Sequence, residues 1–92
     1  MFPEEIREDL ADALARLDLG VSLSMPLSRP MPSIGKGVHE LRLKDASGIY
    51  RIIYFLWEKE RIYLLHAFKK KSQKTLKANL DLAKRRLKGV LR

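Results

Sequence analysis

The chain has no cysteine. That excludes disulfide staples, thiolate metal sites and a cysteine nucleophile, and it fits a reducing compartment. No apolar run approaches the ~18 residues that a membrane-spanning helix needs. The opening residues, Met1-Phe2-Pro3-Glu4-Glu5, are acidic and carry no signal-peptide stretch. A cytoplasmic protein without membrane contact is therefore expected. Catalytic signatures are equally scarce. The two histidines, His39 and His66, stand too far apart in sequence for a local metal motif. There is no glycine-rich phosphate loop ending in Lys-Ser/Thr and no Gly-x-Ser-x-Gly elbow. Asp45 and Asp81 do not pair with other acids as a two-metal nuclease requires. Neither metal nor cofactor is expected, so any cleavage of nucleic acid would rest on basic side chains.

What the chain does have is positive charge, unevenly placed. It carries 19 Lys and Arg against 11 Asp and Glu in 92 residues. Residues 69–92 hold ten basic residues and one acid, Asp81, while residues 1–68 come close to neutrality. A concentrated basic segment raises the local concentration of polyanions and makes their binding salt-sensitive. The alternative is a solvated face on a basic protein. Length predicts a single domain over residues 1–92, and 46% hydrophobic residues suffice for a core.

Residues 3–18 read as a helix. Pro3 suits a first turn, Glu4, Glu5, Glu8 and Asp9 face the positive end of the dipole, and Ile6, Leu10, Ala13, Leu14 and Leu17 form one apolar stripe. Gly20 is the expected stop. Residues 20–37 form a connector rich in Gly, Ser and Pro. It also carries Val21, Leu23, Met25, Leu27, Met31 and Ile34, more apolar side chains than a solvent linker holds. Three strands follow, over 38–44, 50–57 and 61–68. The first alternates, with His39, Leu41 and Leu43 on one face and Val38, Glu40, Arg42 and Lys44 on the other. The second is almost continuously apolar, as in a central strand buried on both faces. Turns at 45–48 and 58–60 make an antiparallel meander. A second helix, capped by Ser72 or Thr75 and ended by Gly89, carries Leu76, Leu80, Ala83 and Leu87 inward. The expected fold is α+β: a three-stranded antiparallel sheet with an N-terminal and a C-terminal helix packed on one face.

The densest chemical segment is Leu65-His66-Ala67-Phe68-Lys69-Lys70-Lys71-Ser72-Gln73-Lys74-Thr75, where a strand runs into a helix. Cations interleaved with an aromatic ring suit single-stranded RNA, by phosphate contact and base stacking. Arg42, Lys44 and Arg51 form a second basic group. RNA carries its own nucleophile, the 2′-hydroxyl, so an enzyme need only orient it, move protons and stabilise charge on the phosphate. Arg and Lys supply the charge. A lysine with a lowered pKa, or a histidine, moves the protons. Each residue has a plainer reading as well. Arg51 could form an ion pair with Glu40 or Asp45, and His66 could be a hydrogen-bonded structural histidine. His39 reads as structural, and Tyr54, Phe55 and Trp57 as core.

Three stretches resemble a known family: 31–42 (Met-Pro-Ser-Ile-Gly-Lys-Gly-Val-His-Glu-Leu-Arg), 48–54 (Gly-Ile-Tyr-Arg-Ile-Ile-Tyr) and 64–75 with its Leu-His-x-Phe-x-Lys-Lys-x-Gln-Lys-Thr pattern. Together they are similar to the phage-derived Gp49-like branch of HigB toxins, within the RelE/ParE superfamily. The resemblance implies a type II toxin that cleaves mRNA without metal, typically on the ribosome, and is neutralised by a helix-turn-helix antitoxin of the HigA kind. It places Arg51, Lys69 and Lys70, with Arg42 and Lys44, at the family's basic positions, and His66, Gln73 and Lys74 in the branch's own motif. With the reading of the residues, the expected catalytic set is Arg51, Lys69, Lys70 and His66, and the expected RNA-binding set is Arg42, Lys44, Phe68, Lys71, Gln73, Lys74 and Lys77. Arg51 corresponds to the phosphate-stabilising arginine of the family's second strand. Relatives usually begin with a strand before the first helix, which this chain, opening at Phe2-Pro3, lacks. RelE's catalytic tyrosine has no counterpart near Leu76. A ParE-like gyrase inhibitor and a non-catalytic RNA-binding or antitoxin-docking module are the alternatives on the same fold.

Overall fold

The computed structural model describes residues 2–57, 61–70 and 77–91. The element order is α1 (Glu4–Asp18), β1 (Ser28–Pro30), β2 (Val38–Asp45), β3 (Gly48–Trp57), β4 (Arg61–Lys70) and α2 (Lys77–Leu91). The expected α+β class holds, with a helix toward each end of the chain. The sheet, however, has four strands rather than three, in the order β1-β2-β3-β4 with every pairing antiparallel. The additional strand comes from the connector. Ser28, Arg29 and Pro30 pair with Leu41, Glu40 and His39. Proline is tolerated there because β1 is an edge strand, where a missing N–H leaves no partner unsatisfied.

The helices do not share a face. Ile6, Ala13 and Leu17 of α1 pack with Leu41, Leu43, Tyr50, Ile52 and Tyr54. Ala83 and Leu87 of α2 pack with Val38, Ile53, Phe55 and Leu65, joined by Met31 and Ile34 of the connector. Successive residues of a strand point to opposite faces, so the uninterrupted apolar run in β3 requires cover on both sides. Tyr50 through Phe55 are all buried, with Arg51 among them.

Local chemistry fixes the joints. Asp18 ends α1, and Gly20, at φ 83°, returns its N–H to the Leu17 carbonyl. The β2–β3 hairpin closes over Ala46 and Ser47, where the Asp45 carboxylate accepts from the Ser47 N–H at 2.8 Å and from its hydroxyl at 2.6 Å. A register shift between Ile53 and Tyr54 leaves Leu65 of β4 outside the ladder. This bulge turns Leu65 into the α2 cluster, and its carbonyl accepts from Arg86 Nη1 at 2.8 Å. Gly89 does not end α2, which continues to Leu91. Leu87 and Val90 still pack on the sheet there, and that contact outweighs the ~1 kcal/mol by which glycine disfavours helix. The proposed caps Ser72 and Thr75, Leu76 and the 58–60 turn lie outside the described residues.

Candidate functional site

The register of β2 and β3 gathers charge on the face that α2 partly covers. Glu40 of β2 stands beside Arg29 of β1, and Arg42 stands directly opposite Arg51 of β3. Phe68 of β4 follows Arg51 across the sheet, and one row further on Lys44, Ile49 and Lys70 are neighbours. Alternation therefore sets Arg29, Glu40, Arg42, Lys44, Arg51, Phe68 and Lys70 on one surface.

Glu40 is the centre of this group. Its side chain is fully buried, and its Oε1 accepts from Arg29 Nε at 3.1 Å, from Arg42 Nε at 3.5 Å and from Arg51 Nη1. Arg29 and Arg42 remain partly exposed, whereas only 5% of the Arg51 side chain is accessible. A buried carboxylate needs such partners, because an unpaired charge in the interior costs several kcal/mol. Three guanidinium groups nevertheless exceed what one carboxylate can neutralise. Among the described residues, Arg51 Nε is a buried donor without a partner.

Lys70 joins the cluster from β4. Its pKa is lowered, first by loss of hydration and then by Arg51, with Arg42 and Arg29 adding to the effect and Glu40 opposing it. Lys69, one residue earlier, belongs to the other face. Its Nζ lies 5.8 Å from the centre of the Tyr50 ring, and its charge helps hold the Asp45 carboxyl below the usual range, an effect led by the Ser47 hydroxyl. The sequence reading set both lysines just past a strand ending at Phe68. In the structure both lie within β4, paired with Tyr50 and Ile49, and strand parity separates them.

His66 is engaged by α2. Its Nε2 lies 2.7 Å from Asn79 Oδ1, and its Nδ1 lies 3.4 Å from Arg86 Nη1. An amide oxygen facing Nε2 calls for a hydrogen there, and a guanidinium facing Nδ1 calls for an acceptor. Phe68 stacks on the same ring at 5.2 Å. In this arrangement His66 links β4 to Asn79 and Arg86 of α2. Lys77 is exposed at the start of α2, 3.8 Å from Asp81. Lys71, Gln73 and Lys74 lie outside the described residues. Lys44 is exposed at the rim.

Arg29, Asn79 and Arg86 were not anticipated as site residues. Arg29 is hidden in a proline-rich connector too short to show alternation. Glu40 was visible as a possible partner of Arg51, and its spacing two residues from Arg42 was the available signal. Among the described residues, no group of three His, Asp or Glu side chains gathers as a metal ion would require, and no helix is long and apolar enough to cross a membrane.

A small sheet carrying a cationic row on one face is the class that the geometry defines. The family model described as phage-derived protein Gp49-like (DUF891) matches residues 1–88, and the chain belongs to that family. No curated protein and no solved structure gives a significant match.

Proposed function

We propose that this protein is the toxin of a type II toxin-antitoxin pair, of the HigB kind within the RelE/ParE superfamily, and that it cleaves mRNA on the ribosome without metal. The observation that carries the reading is the meeting of Arg29, Arg42 and Arg51 on Glu40, with Lys70 on the same face of the sheet. A scissile phosphodiester placed there would accept from Arg42 and Arg29, the two guanidinium groups that remain partly exposed, with Arg51 adding its charge beside them. Attack of the 2′-oxygen on phosphorus would break the bond to the 5′-oxygen, leaving a 2′,3′-cyclic phosphate and a 5′-hydroxyl. The proton lost by the 2′-hydroxyl passes to a base, and the departing 5′-oxygen takes one from an acid. Lys70 is the candidate for proton transfer, since its lowered pKa brings it toward the working pH. The guanidinium groups stabilise the charge that grows on the phosphate. Exposed Lys77, Lys84, Arg85 and Lys88 on α2 would hold flanking backbone. The partners in this reading are mRNA in the cytoplasm and a HigA-like helix-turn-helix antitoxin.

Two observations favour a second reading. Arg51 is already paired with Glu40, and His66 is held by Asn79. Both are what a non-catalytic RNA-binding or antitoxin-docking module would show. Inducing the chain and mapping mRNA 5′ ends separates the two. New 5′ ends that vanish with Lys70→Ala support the nuclease, whereas RNA binding with no cleavage supports the module. DNA damage with intact mRNA would point to gyrase poisoning instead.

A further inference from the structure

The cationic row has an apolar neighbour. Strand β1 covers β2 only from His39 to Leu41, after which the Arg42 N–H reaches back to the Leu27 carbonyl at 2.7 Å. Beyond that bond no strand of the described residues lies along the outer side of β2, and a pocket of about 390 Å³ opens there. Its lining is part apolar, from Pro26, Leu27, Leu43 and Ile49, and part cationic, from Arg42, Lys44 and Arg51.

Two features make this a binding site rather than a crease. Ile49 is 41% exposed although its cross-strand neighbours are Lys44 and Lys70. Beside it, Arg51 contributes a guanidinium whose buried Nε lacks a partner among the described residues. A ligand that satisfies both parts of the lining must carry acceptor oxygens with negative charge at one end and a flat, weakly polar body at the other. A nucleotide has that form. The volume sits at the lower end of the range for small-ligand pockets and suits one nucleotide rather than several.

We infer that this pocket is a nucleobase subsite: the base lies on Ile49, Leu27 and Pro26 while its own phosphate meets Arg42, Lys44 and Arg51. The inference rests on the anion-binding reading of the arginine cluster and adds to it a fixed seat for one base. That seat would set which nucleotide is placed next to the cleaved bond. Aliphatic lining senses the size of the base, and the guanidinium groups, donors only, favour a base edge or phosphate oxygen that accepts.

The test is nuclear magnetic resonance titration of the full chain, labelled at isoleucine and leucine methyl groups, with uridine 5′-monophosphate, adenosine 5′-monophosphate, ribose 5-phosphate and inorganic phosphate. At least one nucleotide should bind about tenfold tighter than ribose 5-phosphate and shift the Ile49 and Leu27 methyls. Ile49→Ala and Leu27→Ala should each reduce that preference several-fold while leaving ribose 5-phosphate affinity unchanged. Because Ile49 is exposed, its truncation leaves the fold intact, which the remaining methyl spectrum verifies. Equal affinity for nucleotides and ribose 5-phosphate would overturn the base subsite and leave the anion site standing. A base preference untouched by both substitutions would overturn it too, by placing the base elsewhere. If none of the four probes binds, the anion site falls with it.

Discussion

Arg42 and Arg51 face each other as direct cross-strand neighbours, two like charges kept together by the one carboxylate of Glu40. Like charges directly opposite on a sheet normally repel. Here the repulsion is offset only while Glu40 is ionised and in place. Glu40→Ala should therefore cost about 3–5 kcal/mol, the usual penalty for stranding a buried charge. Glu40→Gln, which keeps an acceptor but loses the charge, should fall between it and the wild type. Urea unfolding measures both, and a loss below about 1 kcal/mol for Glu40→Ala would show that the arginines find other partners.

The same pairing complicates the obvious test of activity. Arg51→Ala removes a phosphate-stabilising charge in the proposed reading, but it also leaves Glu40 short of its most buried partner. Loss of toxicity in that variant would not separate chemistry from unfolding. Lys70 is the cleaner probe, because among the described residues no hydrogen bond or ion pair ties it to the core. Lys70→Ala should relieve growth arrest with little change in thermal stability. Lys69→Ala, altered on the opposite face, should retain most of the arrest. If Lys69→Ala abolishes it and Lys70→Ala does not, the proposed surface is the wrong one.

Acid should weaken the fold through His39. Burial holds its pKa below the ordinary 6.5, so the unfolded chain takes up this proton at a higher pH than the folded chain does. The stability involved is fully present above pH 6.5 and is lost as pH falls from there through the lowered folded value. His39→Phe keeps a ring against Tyr54, now stacked at 5.3 Å, and should flatten that part of the stability profile. An unchanged acid slope in the variant would assign it to other groups.

Ser28 and Tyr54 should behave as one unit. Their hydroxyls lie 2.7 Å apart in the interior, where burial raises the Tyr54 pKa and the Ser28 contact partly lowers it again. Ser28→Ala or Tyr54→Phe alone strands a buried hydroxyl and should cost about 1–3 kcal/mol. The double variant should cost clearly less than the two single losses together. Simple additivity would mean that the bond contributes nothing.

Much of this was legible in the residues. The alternation of Val38 through Lys44 and the apolar run from Tyr50 onward set the pairing of β2 with β3 and the faces of Glu40, Arg42 and Arg51. Strand β1 escaped because three residues ending at Pro30 show no periodicity. The placing of both helices on one face followed from a preference for the simplest layered arrangement, although β3 itself demanded cover on two sides. Lys69 and Lys70 were read as a single basic run, because a strand boundary set two residues early hides which lysine faces which way. The role of His66 depended on Asn79 and Arg86, thirteen and twenty residues further along, and nothing in local spacing announces contacts of that kind.

The strands lie side by side in the order in which a ribosome would release them. Each can zip onto its predecessor without a crossover, a low-contact-order route that favours rapid folding. Arg29 and Glu40 meet first, Arg51 is added with β3, and Lys70, near the end of β4, comes last. A growing chain thus builds its cationic surface by stages, and Lys70 is the last of these residues to be added. Whatever the proposed reading assigns to Lys70 would begin only after β1, β2 and β3 have been made.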